Sequence, residues 1–261
     1  MTALTDYGSS TYTKLLLEGD AKVGKTTSLV ALVENFKLRI WDYDSGLGPL
    51  IKECQNRKLP LDNIQYISLR DKYTSSQFGP MISGAPTAFA DGLKACDQWP
   101  DDKSKPERWG TDYIAVFDSL THLSNAAWNW SKFMHGSSSM VEGAPKKGEA
   151  DPRAVTYTAQ KGIEHMLAML TAESFCTNVI VISHIKYGPA KAYPNSLGTA
   201  LGPVILTYFN NHVLSFERTG RAETERRIIR TKSTDMLDLL TSAKVNDTVD
   251  AYDGLSLFFK R

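Results

Sequence analysis

Cysteine is scarce in this chain. Cys54, Cys96 and Cys176 stand far apart among 261 residues, with no CxxC pair. Neither a disulfide framework nor a thiolate zinc site is indicated. Long apolar runs are missing too, and none approaches the ~18 residues of a membrane span. Charge of one sign is also lacking: 30 basic and 29 acidic residues leave a formal net charge of +1. A dedicated nucleic-acid binder usually has a clear basic excess, so any such contact must be confined to particular loops. The first residues, MTALTDYGSSTYTK, lack a basic stretch followed by an apolar core. No secretory signal is therefore expected, and the expected compartment is the cytoplasm, away from membranes. The composition, 42% apolar and 23% charged, is that of a globular protein. The length allows one large α/β domain or two small ones.

Short β-type runs alternate with helix-like stretches, the pattern of a mostly parallel sheet with crossover helices. Strands are expected at 12–17, 37–41, 64–69, 113–117 and 178–183. Two more, 212–217 and 226–231, are short and suit an antiparallel C-terminal extension. Helices are expected at 25–35, 86–98 and 155–173, the last with Ile163, Met166, Leu167 and Leu170 on one face. The stretches 135–153 and 186–203, rich in Gly, Pro, Ser and charge, break the pattern. Long loops inside a compact domain are usually functional or disordered. A third insert, 99–110, reads as an exposed hairpin or loop.

The strongest local signal is LLLEGDAKVGKTT, residues 15–27. An apolar strand leads into Gly19, Asp20, Ala21, Lys22, Val23, Gly24, Lys25 and Thr26, which fit the G-x-x-x-x-G-K-[ST] phosphate loop. Glycines let the backbone curl so that successive N–H groups point at a phosphate. Lys25 adds a point charge near the β/γ-phosphates, and Thr26 offers its hydroxyl to Mg²⁺. From Thr27 onward a helix presents its positive N-terminal end to the anion. Lys22 is expected to be an exposed loop lysine.

Mg²⁺ bound at a phosphate loop usually needs a carboxylate at a neighbouring strand end. YIAVFDSL supplies Asp118 in that place, the Walker B arrangement. KLRIWDYDSG offers Asp42 and Asp44 after another strand, with Asp44 further out towards a ligand. Such a carboxylate can orient or activate water. His184 follows the strand NVIVIS. Ligands of doubly wound sheets sit outside the strands' C-terminal ends, so the phosphate loop, Asp44, Asp118 and His184 converge on one edge. His122, His135, His165 and His212 have no site role in this reading.

The order of these motifs resembles the RecA-type ATPase core over about residues 12–235, within a single domain spanning 1–261. It is most similar to compact phage RecA-like ATPases such as the Sak-type single-strand annealing proteins. The resemblance implies a RecA-like P-loop fold that binds ATP and Mg²⁺ and hydrolyses ATP, with a purine preference inferred from the family alone. It implies that Asp44 activates water, in a place where the family often has Glu. It also implies that His184 senses the γ-phosphate, and that Arg230 and Lys232 reach a neighbour's ATP. The two odd loops would then hold single-stranded DNA. Lys146, Lys147, Arg153, Lys186 and Lys191 would meet phosphates, and Tyr187 and Tyr193 would stack on bases. Glu142, Glu149 and Asp151 partly cancel the charge of the first loop. The implied assembly is a homo-oligomer, ring or filament, with ATP between subunits and a single-strand-binding protein as a possible partner. The implied role is phage-type recombination or replication, by annealing or strand exchange, with DNA-stimulated ATP hydrolysis. The chain departs from RecA itself in its short N-terminal lead and its short tail, AYDGLSLFFKR.

Two other readings fit a phosphate loop. One is a small-molecule phosphotransferase, for which Arg218, Arg221, Arg226, Arg227 and Arg230 would form a lid. The other is a scaffold ordered by nucleotide without turnover.

Overall fold

The computed structural model describes residues 11–77, 79–135, 151–209, 211–220 and 225–260. Its centre is the apolar run Leu15, Leu16 and Leu17 on strand β1 (Lys14–Gly19), all fully buried. A strand buried on both faces needs a partner layer on each side, and alternation supplies them. Leu15 and Leu17 join one core cluster; Leu16 joins another on the opposite face.

Beside β1 lie β7 (Thr177–Tyr187) and β9 (His212–Thr219), both parallel to it. Beyond β7 come β6 (Gly110–Asp118), β2 (Lys37–Asp42) and β3 (Ile64–Ser68), again all parallel. On the other flank, β10 (Arg226–Arg230), β11 (Leu240–Thr241) and β12 (Thr248–Asp250) extend the sheet antiparallel, β10 and β11 on β9 and β12 on β10. The order is β12-β10-β9-β1-β7-β6-β2-β3. The expected α/β class, mostly parallel with an antiparallel C-terminal extension, is what the chain forms. One expectation is corrected: 212–217 is not part of the antiparallel extension, because β9 pairs parallel to β1, and the strands that reverse on it are β10 and β11. A small separate hairpin joins β4 (Tyr73–Ser76) to β5 (Gly79–Ile82).

One face of the sheet carries α1 (Lys25–Ser28), α2 (Val30–Val33) and α3 (Gly48–Asn56), together with the C-terminal 3₁₀ turn Gly254–Phe258. The other carries α4 (Ala88–Asp97), α5 (Leu120–Met134) and α6 (Pro152–Thr171). On α6 the anticipated stripe Ile163, Met166, Leu167 and Leu170 is buried. Asp151 caps that helix by accepting from the Arg153 N–H at 2.9 Å. The helix expected at 25–35 is split at Leu29, where i→i+3 bonds (Leu29 N to Thr26 O, Leu32 N to Leu29 O) tighten the turn.

Two of the irregular stretches prove more ordered than composition implies. In the 99–110 insert, Trp99 is fully buried and packs edge-on to Trp41 at 4.9 Å, while Trp41 stacks on Phe117 at 4.6 Å. The insert is a loop with an exposed tip, as one of the two expectations had it, but Trp99 anchors it in the core. In 186–203, β7 runs on to Tyr187 and pairs with β8 (Ala192–Pro194), after which α7 (Leu201–Leu206) begins. Most of 135–153, including Lys146 and Lys147, lies outside the described residues.

Candidate functional site

The C-terminal ends of β1, β2, β6 and β7 meet at one edge. Register places Gly19 beside His184 on one side and Phe216 on the other, and sets Asp42 beside Asp118. Gly19 is there because nothing larger fits: a Cβ would sit 2.5 Å from the Phe216 carbonyl oxygen. The loop then curls through left-handed Lys22 (φ 62°) and Gly24 (φ 115°) into α1. Lys22 is exposed, as expected, as are Asp20 and Ala21, whereas Val23 is buried and anchors the loop to the core.

Lys25 is 5% exposed, and its Nζ donates to the carbonyls of Gly19 (2.9 Å) and Asp20 (2.7 Å). Burial lowers its pKa to about 8, with Asp118, Asp20 and Asp44 opposing the shift. The ammonium is thus held at the loop's concave side, where an anion would be received.

The Thr26 hydroxyl donates to Asp118 Oδ2 at 2.6 Å. Asp118 is 1% exposed, and burial raises its pKa to about 6 against the lowering effect of Thr26. A carboxylate buried at such cost beside a hydroxyl is a natural oxygen donor pair for a hard cation, whose charge would offset the penalty. The donor set therefore fits Mg²⁺.

The two carboxylates after β2 divide their roles. Asp42 is buried and accepts from the N–H groups of Asp44 (3.1 Å) and Ser45 (2.6 Å), so it shapes the turn. Asp44 emerges from that turn with its carboxylate partly exposed, and His122 Nε2 lies 3.1 Å from its Oδ1. The His122 hydrogen bond holds the Asp44 pKa below the ordinary carboxylate range, and the same bond raises that of His122. His184 faces His122 edge-on, with ring centroids 6.1 Å apart. Burial lowers the His184 pKa.

Lys25, Thr26, Asp44, Asp118 and His184 line one cleft of about 380 Å³, within the usual range for small-ligand sites. Thr27 lines it as well. Of the residues read from the sequence, this core constellation is what the fold brings together.

Sequence reading missed His122 and Tyr252, and gave Arg227 a place only in the phosphotransferase lid. His122 sits one helical turn past Asp118, in the first turn of α5, so the signal was its place after the Walker B aspartate. Arg227 lines the same cleft; its Nη1 would be 3.0 Å from a Cβ on Gly24. Tyr252 accepts a hydrogen bond from Arg227 and lies under its guanidinium, 5.7 Å from ring centroid to Cζ. Arg227 and Tyr252 also line an adjoining pocket of about 480 Å³. No periodicity announces such residues; pairing of β10 with β12 creates the site.

The remaining candidates stand apart from the cleft. Arg230 makes a two-pronged pair with Glu217 (2.6 and 2.8 Å), and Lys232 lies 3.2 Å from Asp247. Arg218 pairs with Glu225 at 2.7 Å, so the arginines of the envisaged lid belong to the β9–β10 hairpin; Arg221 lies outside the described residues. Arg153 and Lys186 are exposed. Lys191 pairs with Asp238 at 2.7 Å, and Tyr193 is half-buried in β8. Tyr187 is 59% exposed, yet its hydroxyl donates to Asp20 Oδ1 at 3.1 Å, tying the strand after His184 to the phosphate loop. Among the described residues no helix is long and apolar enough to cross a membrane.

No protein-family model and no curated protein matches this chain. Among solved structures, it is similar to the flagellar accessory protein FlaH from Methanocaldococcus jannaschii. That match has a TM-score of 0.43 and 12% identity, covering 90% of this chain and 83% of that one. It is also similar to the KaiC-like protein PH0186 from Pyrococcus horikoshii OT3, with a TM-score of 0.46 and 11% identity, over 88% of this chain and 82% of that one. At such distances, the chemistry of the site must be read from this chain's own residues.

Proposed function

We propose that this chain is a RecA-like ATPase that binds ATP with Mg²⁺ and couples its hydrolysis to single-stranded DNA. The observation that carries the reading is the single cleft in which Lys25, the Thr26–Asp118 pair, Asp44 and His184 meet. When bound, ATP with Mg²⁺ supplies the phosphoanhydride and a charge-neutralising cation. The chain's own groups account for the rest. Lys25 would exchange its two loop carbonyls for phosphate oxygens, and Thr26 and Asp118 would hold the cation. Asp44 orients the attacking water through its carboxylate. His184 stands on the strand that continues into Tyr187, so the cleft is connected to the β7–β8 hairpin. Arg227 and Tyr252, beside Gly24 and lining the adjoining pocket, would receive the base end of the nucleotide.

The exposed Lys186 and the exposed ring of Tyr187 support single-stranded DNA as the partner, since a cation beside an aromatic platform suits a flexible polyanion with stacking bases. Assembly into a homo-oligomer with nucleotide between subunits belongs to this reading. Arg230 and Lys232 would serve a neighbour's site only by leaving Glu217 and Asp247.

The test is ATP hydrolysis with and without single-stranded DNA, at low and moderate salt, for wild type and Lys25→Ala. Expected is stimulation by DNA that weakens with salt and disappears in the variant. Turnover indifferent to DNA under all conditions would remove DNA from the proposal, and phosphate transfer to nucleoside monophosphates would replace hydrolysis as the activity to measure.

A further inference from the structure

His122 does not line the cleft, yet it holds a group that does. Its Nε2 is the hydrogen-bond partner of Asp44 Oδ1, at 3.1 Å. The Asp44 backbone is fixed by the Asp42 turn, through the Asp44 and Ser45 N–H groups. A fixed backbone still leaves the short side chain free to rotate about χ1 and χ2. The His122 contact removes that freedom.

His122 is itself mounted on a rigid element. Its neighbours in the first turn of α5, Leu120 and Leu123, are buried in the core. Thr121 Oγ1 donates to the Asn195 carbonyl at 2.9 Å and accepts from the His184 N–H at 3.3 Å, locking that turn against β7. The His122 ring then meets the His184 ring edge-on. One imidazole thus touches both the carboxylate after β2 and the histidine of β7, on opposite sides of Asp118.

We propose that His122 is the positioning residue for Asp44, fixing its carboxylate toward the water that attacks beside the phosphate loop, and that it keeps Asp44 and His184 in register with each other. This rests on the reading of Asp44 as the water-orienting group. Positioning of this kind acts on the chemical step and leaves nucleotide affinity alone, because Asp44 lines the cleft and His122 does not.

The experiment compares wild type, His122→Ala, His122→Gln, Asp44→Asn and the double variant Asp44→Asn/His122→Ala. It measures kcat and KM for ATP, the Kd of a fluorescent ATP analogue, and the melting temperature. Glutamine is the informative replacement, since its amide nitrogen stands about where Nε2 does. Expected are a fall in kcat of about tenfold or more in His122→Ala, with KM and Kd changed less than about twofold. His122→Gln should recover most of the rate, and the double variant should be no slower than Asp44→Asn alone. If Asp44→Asn is inactive while His122→Ala keeps wild-type kcat, the positioning role is overturned and the ATPase reading stands. If His122→Ala and His122→Gln lose rate equally and both melt lower, the residue is merely structural and the proposal falls. Wild-type turnover in Asp44→Asn, or none in the wild type, overturns the reading beneath it.

Discussion

The Thr26 hydroxyl and Asp118 Oδ2 are 2.6 Å apart across 92 residues of sequence, joining the phosphate loop to the strand two places away in the sheet. Asp118 needs that donor, because burial drives its pKa to about 6 from 3.8. The folded value exceeds the unfolded one, so the protonated carboxyl favours folding. Stability should therefore fall as pH rises from about 3.8 through about 6, then level off. At neutral pH the ionised carboxylate costs the fold roughly 3 kcal/mol. Asp118→Asn keeps an acceptor for Thr26 and removes the charge. At pH 7.5 the variant should melt about 5 °C higher than wild type without nucleotide, and lose Mg²⁺-dependent nucleotide binding. A lower melting point with binding intact would refute both halves.

Glu18 makes the same argument without a ligand. It sits on β1 between Ser183 and Ser215, 1% exposed, with Oε2 unpartnered among the described residues. Burial, aided by Asp238, raises its pKa from 4.5 to about 8. Stability should decline from about pH 4.5 to about pH 8 as the unfolded state alone ionises. Glu18→Gln should erase that decline, gaining roughly 3–5 kcal/mol at pH 8.5 and little at pH 4.5. Chemical denaturation at the two pH values decides it; equal gains at both would mean the charge is not the cause.

The phosphate loop, Asp118, Asp44 and His184 were legible because each follows an apolar strand, and a parallel sheet brings such strand ends to one edge. What could not be read depends on long-range placement. His122 gains its meaning from Asp44, 78 residues earlier in the numbering. Arg227 and Tyr252 reach the loop only because β10 lies between β9 and β12. The 99–110 insert misled through its charges, which lie mostly on the surface while Trp99 and Pro106 are buried and Trp109 packs against the core. The direction of β9 was hidden because a short strand of mixed pattern carries no sign of which neighbour it joins.

Two glycines predict opposite outcomes. A Cβ at Gly19 would lie 2.5 Å from the Phe216 carbonyl, a backbone atom that cannot step aside without moving β9. Gly19→Ala should cost about 2 kcal/mol or more and disturb nucleotide binding as well. Gly48, at the first position of α3, has nothing within 4 Å of such a Cβ. Gly48→Ala should be neutral or stabilise by about 0.5 kcal/mol through the unfolded state. Urea titrations of both variants would expose an error if their signs agreed.

Tyr187 offers a way to separate holding DNA from responding to it. The ring is exposed for stacking, while the hydroxyl is engaged with Asp20 of the phosphate loop. Tyr187→Ala removes both, and should weaken single-stranded DNA binding about 5- to 100-fold, the range of one base stack. Tyr187→Phe keeps the ring and cuts the link. It should bind DNA nearly as wild type does, yet lose a large part of the DNA-stimulated rate. The lysines give an internal control. Lys191 is already paired with Asp238, whereas Lys186 is exposed, so Lys186→Ala should weaken binding and flatten its salt dependence more than Lys191→Ala. Fluorescence anisotropy with a labelled oligonucleotide, run beside the ATPase assay, reads both effects. If Tyr187→Phe is stimulated as fully as wild type, the Asp20 contact carries no signal, and coupling must run through His184 alone.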